Sequence, residues 1–210
     1  MTSGSGGARK FPLIPVIFAV VAVALITFVV LTFEGGTTKT HEFPAYGTPV
    51  VTGDALPAFG DATDAAIGML APTVTGTDFD GNPVTITNDG RPKIVIMLAH
   101  WCPHCQNEVP VVQAWLDSGG LPAGVDIYSV ATGTTASREN FPPSAWLDRE
   151  GWTVPVIVDD EQSTVGAAFG LRYFPYFVFI SADGTIASRT SGELPVDTLA
   201  QIAQSLAAGS

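Results

Sequence analysis

From Phe11 to Phe33 the chain reads FPLIPVIFAVVAVALITFVVLTF, 23 residues without a charge. As an α-helix this run spans roughly 34 Å, slightly more than the hydrocarbon core of a bilayer. A buried helix of a soluble domain has no need of so long an uncharged stretch. Pro12 and Pro15 fall in the first turn or so, where a missing N–H costs least. A cleaved signal would have a shorter apolar region ending in a small-residue cleavage site. This run ends VVLTFEGG, without that pattern and without a following cysteine for lipid attachment. It is read as an uncleaved transmembrane anchor over residues 11–33. Arg9 and Lys10 precede it and Glu34 is the first charge after it. That asymmetry puts a tail of residues 1–10 in the cytoplasm and the remainder outside.

The formal net charge is −11, and the exterior part is strongly acidic. This disfavours nucleic acid or an anionic membrane surface as a partner. Residues 34–67 are rich in Gly, Thr, Pro and Ala with little periodicity, and are read as a flexible spacer in which His41 is solvated. The folded domain is expected over 68–210. TVTGTDFDGNPVTI (73–86) is patterned as a hairpin, and KIVIMLA (93–99) as a strand buried on both faces. A helix is predicted from Cys102 or Pro103 to about Ser118, stopped by Gly119-Gly120. VDIYSVA (125–131) and VPVIVD (154–159) read as strands, with a proline-interrupted helical stretch (137–151) between them. A short helix (161–170), a second hairpin (176–190) and an amphipathic helix (195–208) close the chain. Alternating strands and helices imply an α/β fold, a central sheet with helices on both faces. The closing hairpin makes that sheet mixed.

Cys102 and Cys105, in AHWCPHCQNEVP (99–110), are the only cysteines. A bond between them closes too short a loop to constrain the unfolded chain much, so stapling the fold is a poor explanation. A strand running into a helix places Cys102 at a helix N-terminus, where unpaired N–H groups and the helix dipole favour thiolate. Pro103 suits the first helical position. Cys105 lies three residues on, on the same face and deeper, placed to resolve a mixed disulfide formed on an exposed Cys102. His104 either adds positive charge or a hydrogen bond to that thiolate or is an exposed bystander; a stabilised thiolate makes the disulfide a stronger oxidant. Metal binding by Cys102, Cys105, His100 and His104 is the competing chemistry. Four ligands within six positions can hardly surround one ion tetrahedrally.

Trp101-Cys102-Pro103-His104-Cys105 at a strand-to-helix turn resembles the thioredoxin superfamily. With the hairpin APTVTGTDFDGNPVTI (71–86) and Pro110 in the active-site helix, the pattern is similar to its membrane-anchored TlpA/ResA-like (redoxin) branch. The resemblance covers about Gly68 to the C-terminus. It implies a thioredoxin-like fold and a cis proline at Phe174-Pro175 whose backbone pairs with an extended substrate segment. It implies a carboxylate in the site at Glu108, against the alternative of an ordinary surface glutamate, and Trp101 packed beside the cysteines. Phe174 and Tyr176 are bulkier than in many relatives, and His100 replaces a small residue. Pro103-His104 resembles the oxidising periplasmic enzymes, yet the roughly 70 residues between Cys105 and Pro175 leave no room for their inserted helical domain.

The expected protein is a single-pass thiol-disulfide oxidoreductase of a bacterial plasma membrane, either reductive, as in cytochrome c maturation, or oxidative. Cys102, Cys105, His104 and Glu108 carry the chemistry; Trp101, Pro103, Phe174 and Pro175 meet the substrate. The partners implied are exported protein thiols or disulfides, apocytochrome c among them, and a membrane redox protein that recycles the dithiol. No cofactor or metal is called for, because the dithiol carries both electrons. The alternatives are a metal carrier for oxidase assembly and a thiol peroxidase. The latter lacks the upstream peroxidatic cysteine it would need.

Overall fold

The computed structural model describes residues 45–60 and 63–209. Among these residues no helix is long and apolar enough to cross a membrane. The tail at 1–10, the anchor at 11–33 and His41 lie outside the described residues.

Two sheets form. The smaller is antiparallel, in the order β1 (Val50–Thr52), β2 (Thr73–Thr77), β3 (Pro83–Ile86). The larger has five strands. β4 (Lys93–Leu98) lies at its centre, β5 (Asp126–Ala131) and β6 (Val156–Val158) run parallel on one side, and β7 (Tyr176–Ile180) and β8 (Ile186–Ser191) return antiparallel on the other. All six residues of β4 are buried, as a strand with both faces covered requires.

The period of two sorts these strands between two cores. Ile94, Ile96, Leu98, Phe177 and Phe179 face α1 (Pro103–Asp117), α2 (Pro143–Arg149) and α4 (Val196–Ala208) through Val109, Val112, Trp115, Trp146, Leu147, Leu199, Ala203 and Leu206. Val95, Met97, Tyr176, Val178 and Ile180 face α3 (Thr164–Ala168) and the small sheet through Val165, Phe169, Val74 and Ile86. Each fully buried side chain of this size contributes roughly 1.5–3 kcal/mol. Helices thus cover both faces, three on one, and one beside an extra sheet on the other.

The domain does not begin at Gly68. Residues 47–60 and 63–66, read as spacer, are part of it. β1 pairs with β2, the Gly47 N–H donates to the Asp159 carbonyl (2.9 Å), and Leu56 is buried with its N–H on the Ala168 carbonyl (2.8 Å). Arg189 of β8 clamps the segment. Its Nε donates to Asp64 Oδ2 (2.8 Å) and its Nη1 to the carbonyls of Pro57 (2.9 Å) and Phe169 (3.0 Å). The bond from the Arg189 guanidinium holds the Asp64 carboxyl below its ordinary value. A side chain at Gly170 would strike the Pro57 carbonyl at 2.3 Å, so only glycine admits this approach. The segment escapes a periodicity reading because backbone hydrogen bonds, one distant arginine and isolated buried side chains such as Leu56 and Ala66 hold it, not a periodic apolar face.

Candidate active site

β4 delivers the chain to a turn in which the Cys102 N–H donates to the Ala99 carbonyl (3.0 Å). α1 starts at Pro103, with Cys102 as its N-cap in extended conformation and no side chain capping the helix. α1 then runs through Pro110 to Asp117, burying Cys105, Glu108, Val109, Val112, Gln113 and Trp115. Cys105 and Glu108 are therefore on the inward stripe, one turn apart.

Cys105 is fully buried and accepts the Ala99 N–H on its sulfur (3.5 Å). Burial pushes its thiol far above the ordinary range; nearby Cys102 and Glu108 add to this and the Ala99 N–H opposes it. Cys102 is only 7% exposed, less open than the expected accessible sulfur. Trp101 and Phe174 pack against the same core, and their rings meet edge to face at 5.9 Å. Both cysteines are free thiols here.

The Phe174-Pro175 bond is cis, and the Phe174 carbonyl lies 3.9 Å from Cys102 Sγ. Phe174 fits against Gly133, and Trp101 Nε1 donates to the Gly133 carbonyl (2.8 Å). Tyr176 points into the opposite core, where its hydroxyl donates to Phe169, so it does not line the site.

Glu108 is 3% exposed, which excludes the reading of an ordinary surface glutamate. Its Oε2 accepts the Leu194 N–H (3.1 Å), while Oε1 is buried without a partner. Burial pushes this carboxyl up to about 7, the Leu194 N–H opposing and the charge of Glu193 adding.

His104 is turned to another group. Its Nδ1 lies 2.7 Å from Glu193 Oε1, to which Asn107 Nδ2 also donates (3.0 Å). These bonds hold Glu193 below its ordinary value. His100 is buried, with Nδ1 against the Glu139 carbonyl (2.6 Å) and Nε2 accepting the Thr135 N–H (3.2 Å). Burial lowers its affinity for a proton, and both ring nitrogens are occupied by protein partners. It is a structural residue with no free lone pair for a metal. Among the described residues no cluster of three or more His, Cys, Asp or Glu is placed to hold an ion.

Three features around the site had no signal in the sequence. Glu193 is an isolated loop glutamate. Arg138 lies over the Trp101 ring at 4.8 Å. The Phe141-Pro142 bond is also cis.

A cysteine pair opening a helix, beside a cis proline that leads into an interior strand of a mixed sheet, defines a thioredoxin-like dithiol site. The Redoxin family model matches residues 52–206, and the chain belongs to that family. Over 126 residues it is 28% identical to the methylamine utilization protein MauD of Methylobacillus flagellatus, covering 59% of this chain and 56% of that one. It is 24% identical over 124 residues to the soluble secreted antigen MPT53 of Mycobacterium tuberculosis, covering 59% and 65%. The chain therefore spans less than two thirds of either relative. A thioredoxin-family thiol:disulfide interchange protein from Chlorobium tepidum shares the fold, with a TM-score of 0.54, 22% identity, and coverage of 70% and 99%.

Proposed function

We propose that the protein exchanges disulfides with exported proteins outside a bacterial plasma membrane, held there by residues 11–33. The observation that carries this reading is the stacking of the two sulfurs. Cys102 stands at an uncapped helix start against the carbonyl of Phe174, the residue before the cis proline, and Cys105 lies buried one turn in.

In the reducing direction the Cys102 thiolate attacks a sulfur of the substrate disulfide. That S–S bond breaks, a mixed disulfide forms, and the departing substrate sulfur takes a proton. Cys105 then yields its proton to Glu108 and attacks Cys102 Sγ. The second substrate sulfur leaves and takes that proton from Glu108, and Cys102-Cys105 is left oxidised. Two electrons and two protons have passed to the substrate, and a membrane redox protein returns them. A carboxyl near 7 suits Glu108 to accept and release that proton at neutral pH. Trp101, Pro103 and Phe174 border the approach, and backbone beside Pro175 pairs with the substrate segment.

The scaffold's resemblance supports reduction, with apocytochrome c as the client. The Pro103-His104 dipeptide supports the reverse, oxidative direction. Replacing Cys105 with serine in cells and identifying proteins held on Cys102 tests both. Captured apocytochromes support maturation, and many unrelated exported proteins support general oxidation. No captured protein at all overturns the roles given to the two sulfurs.

A further inference from the structure

Residues 192–194, between β8 and α4, make one tie each to three parts of the site. The Gly192 N–H donates to the Pro175 carbonyl (2.9 Å). Glu193 Oε1 takes hydrogen bonds from His104 and Asn107. The Leu194 N–H donates to Glu108 Oε2 (3.1 Å). Gly192 has φ +87°, a conformation that glycine adopts without steric cost. The two outer ties hold the backbone, and so fix where the Glu193 carboxylate falls. It lies over the first turn of α1, against the histidine between the cysteines.

We propose that Glu193 is a positioning residue for the dithiol. By engaging Nδ1 of the His104 ring, it withholds that nitrogen's hydrogen bond from the Cys102 sulfur and makes the disulfide a weaker oxidant. This rests on the reading that Cys102 and Cys105 exchange disulfides. A cation beside the first sulfur stabilises the thiolate, hence the reduced form, hence the oxidising power of the disulfide. So does a hydrogen bond from the ring to that sulfur, and a carboxylate that takes the ring's Nδ1 removes it. The dipeptide alone thus overstates how oxidising this site is.

Other titratable groups border the same turn. Glu108 and Cys105 lie beneath it on α1, and Arg138 lies over Trp101. Glu193 also acts on Glu108 through space. The side chains of His104 and Glu193 are 65% and 45% exposed, so solvent screens the pair and the effect is modest. Substitution at either position also leaves the core intact.

The test is the exchange equilibrium with glutathione, measured on the full chain in detergent for the wild type, Glu193→Gln, His104→Ala and the double variant. Glu193→Gln is expected to shift the equilibrium toward the dithiol about fivefold, close to 20 mV at about 30 mV per tenfold for two electrons. In the His104→Ala background the same substitution is expected to shift nothing. Equal constants for wild type and Glu193→Gln overturn the proposal. So does a shift that persists without His104, which assigns the effect to Glu108 or to the sulfur directly. A wild type that does not equilibrate with glutathione at all overturns the exchange reading itself, and the proposal with it.

Discussion

The start of α3 and the start of α1 meet the same electrostatic demand in opposite ways. At α3 two aspartates take the unpaired N–H groups. Asp159 Oδ1 accepts from Val165 (2.9 Å) and Asp160 (2.9 Å), and its Oδ2 accepts from Gly166 (3.0 Å). Asp160 accepts the Thr164 N–H (2.8 Å) and hydroxyl (2.6 Å). At α1 the N-cap is Cys102 and no side chain caps the helix. Nor is the buried carboxylate of α1 satisfied as Asp159 is; Glu108 has one N–H and an orphaned oxygen. A buried polar group with all its bonds made fixes structure, whereas one left short is held in an energetically costly state that chemistry can use. The comparison teaches that burial of charge is not itself the signature of a site, but incomplete satisfaction beside a nucleophile is.

The largest expected effect tests the α1 side. Cys102→Ser removes the proposed nucleophile at almost constant volume, so disulfide exchange should fall on the order of 10³-fold or more while the urea midpoint barely moves. Asp159→Ala should do the reverse. It leaves three N–H groups without an acceptor, for a loss of about 3 kcal/mol in urea unfolding, with the exchange rate of the folded molecules unchanged. If Asp159→Ala abolished exchange without loss of stability, the contrast between the two helix starts would fail.

Glu108→Gln sharpens the comparison. The folded state holds the proton up to about 7, and the unfolded chain releases it near 4.5. Folded protein therefore binds more protons between these values, and stability falls as pH rises through that window and levels off above it. Glutamine should remove that fall, roughly 1–3 kcal/mol between pH 4.5 and 7.5 in urea titrations, against which the wild type is compared. The same variant should slow resolution of the mixed disulfide about tenfold or more at neutral pH in single-turnover measurements. The smallest effect is Asp160→Ala, which removes the acceptor of the Thr164 N–H and hydroxyl and costs about 1 kcal/mol in thermal or urea unfolding, with exchange intact.

The strands and helices of 73–209 follow the hydrophobic periods closely. β4 is a continuous apolar run, and α1 begins where Pro103 follows Cys102 and ends before Gly119. β1 gave only a faint trace, Val50-Val51-Thr52 between Pro49 and Gly53. Three residues are too few to show a period. Leu56 and Ala66 are buried singly, so nothing near them in the chain marks the segment as part of the core. The site was legible to the same extent. The pair stands in a local motif and the cis proline came with the family resemblance, while the environment of Glu108 and His104 was in neither.

What the sequence determined alone was the order of elements and the placing of two sulfurs on the first turn of a helix. Both rest on interactions within a few residues, which a short window of chain contains. Only the tertiary structure decided that Glu108 is desolvated, that Cys102 is nearly covered, and that His104 faces a carboxylate 89 residues away. Solvation and charge pairing depend on which distant segments close over a group, and no local pattern carries that information.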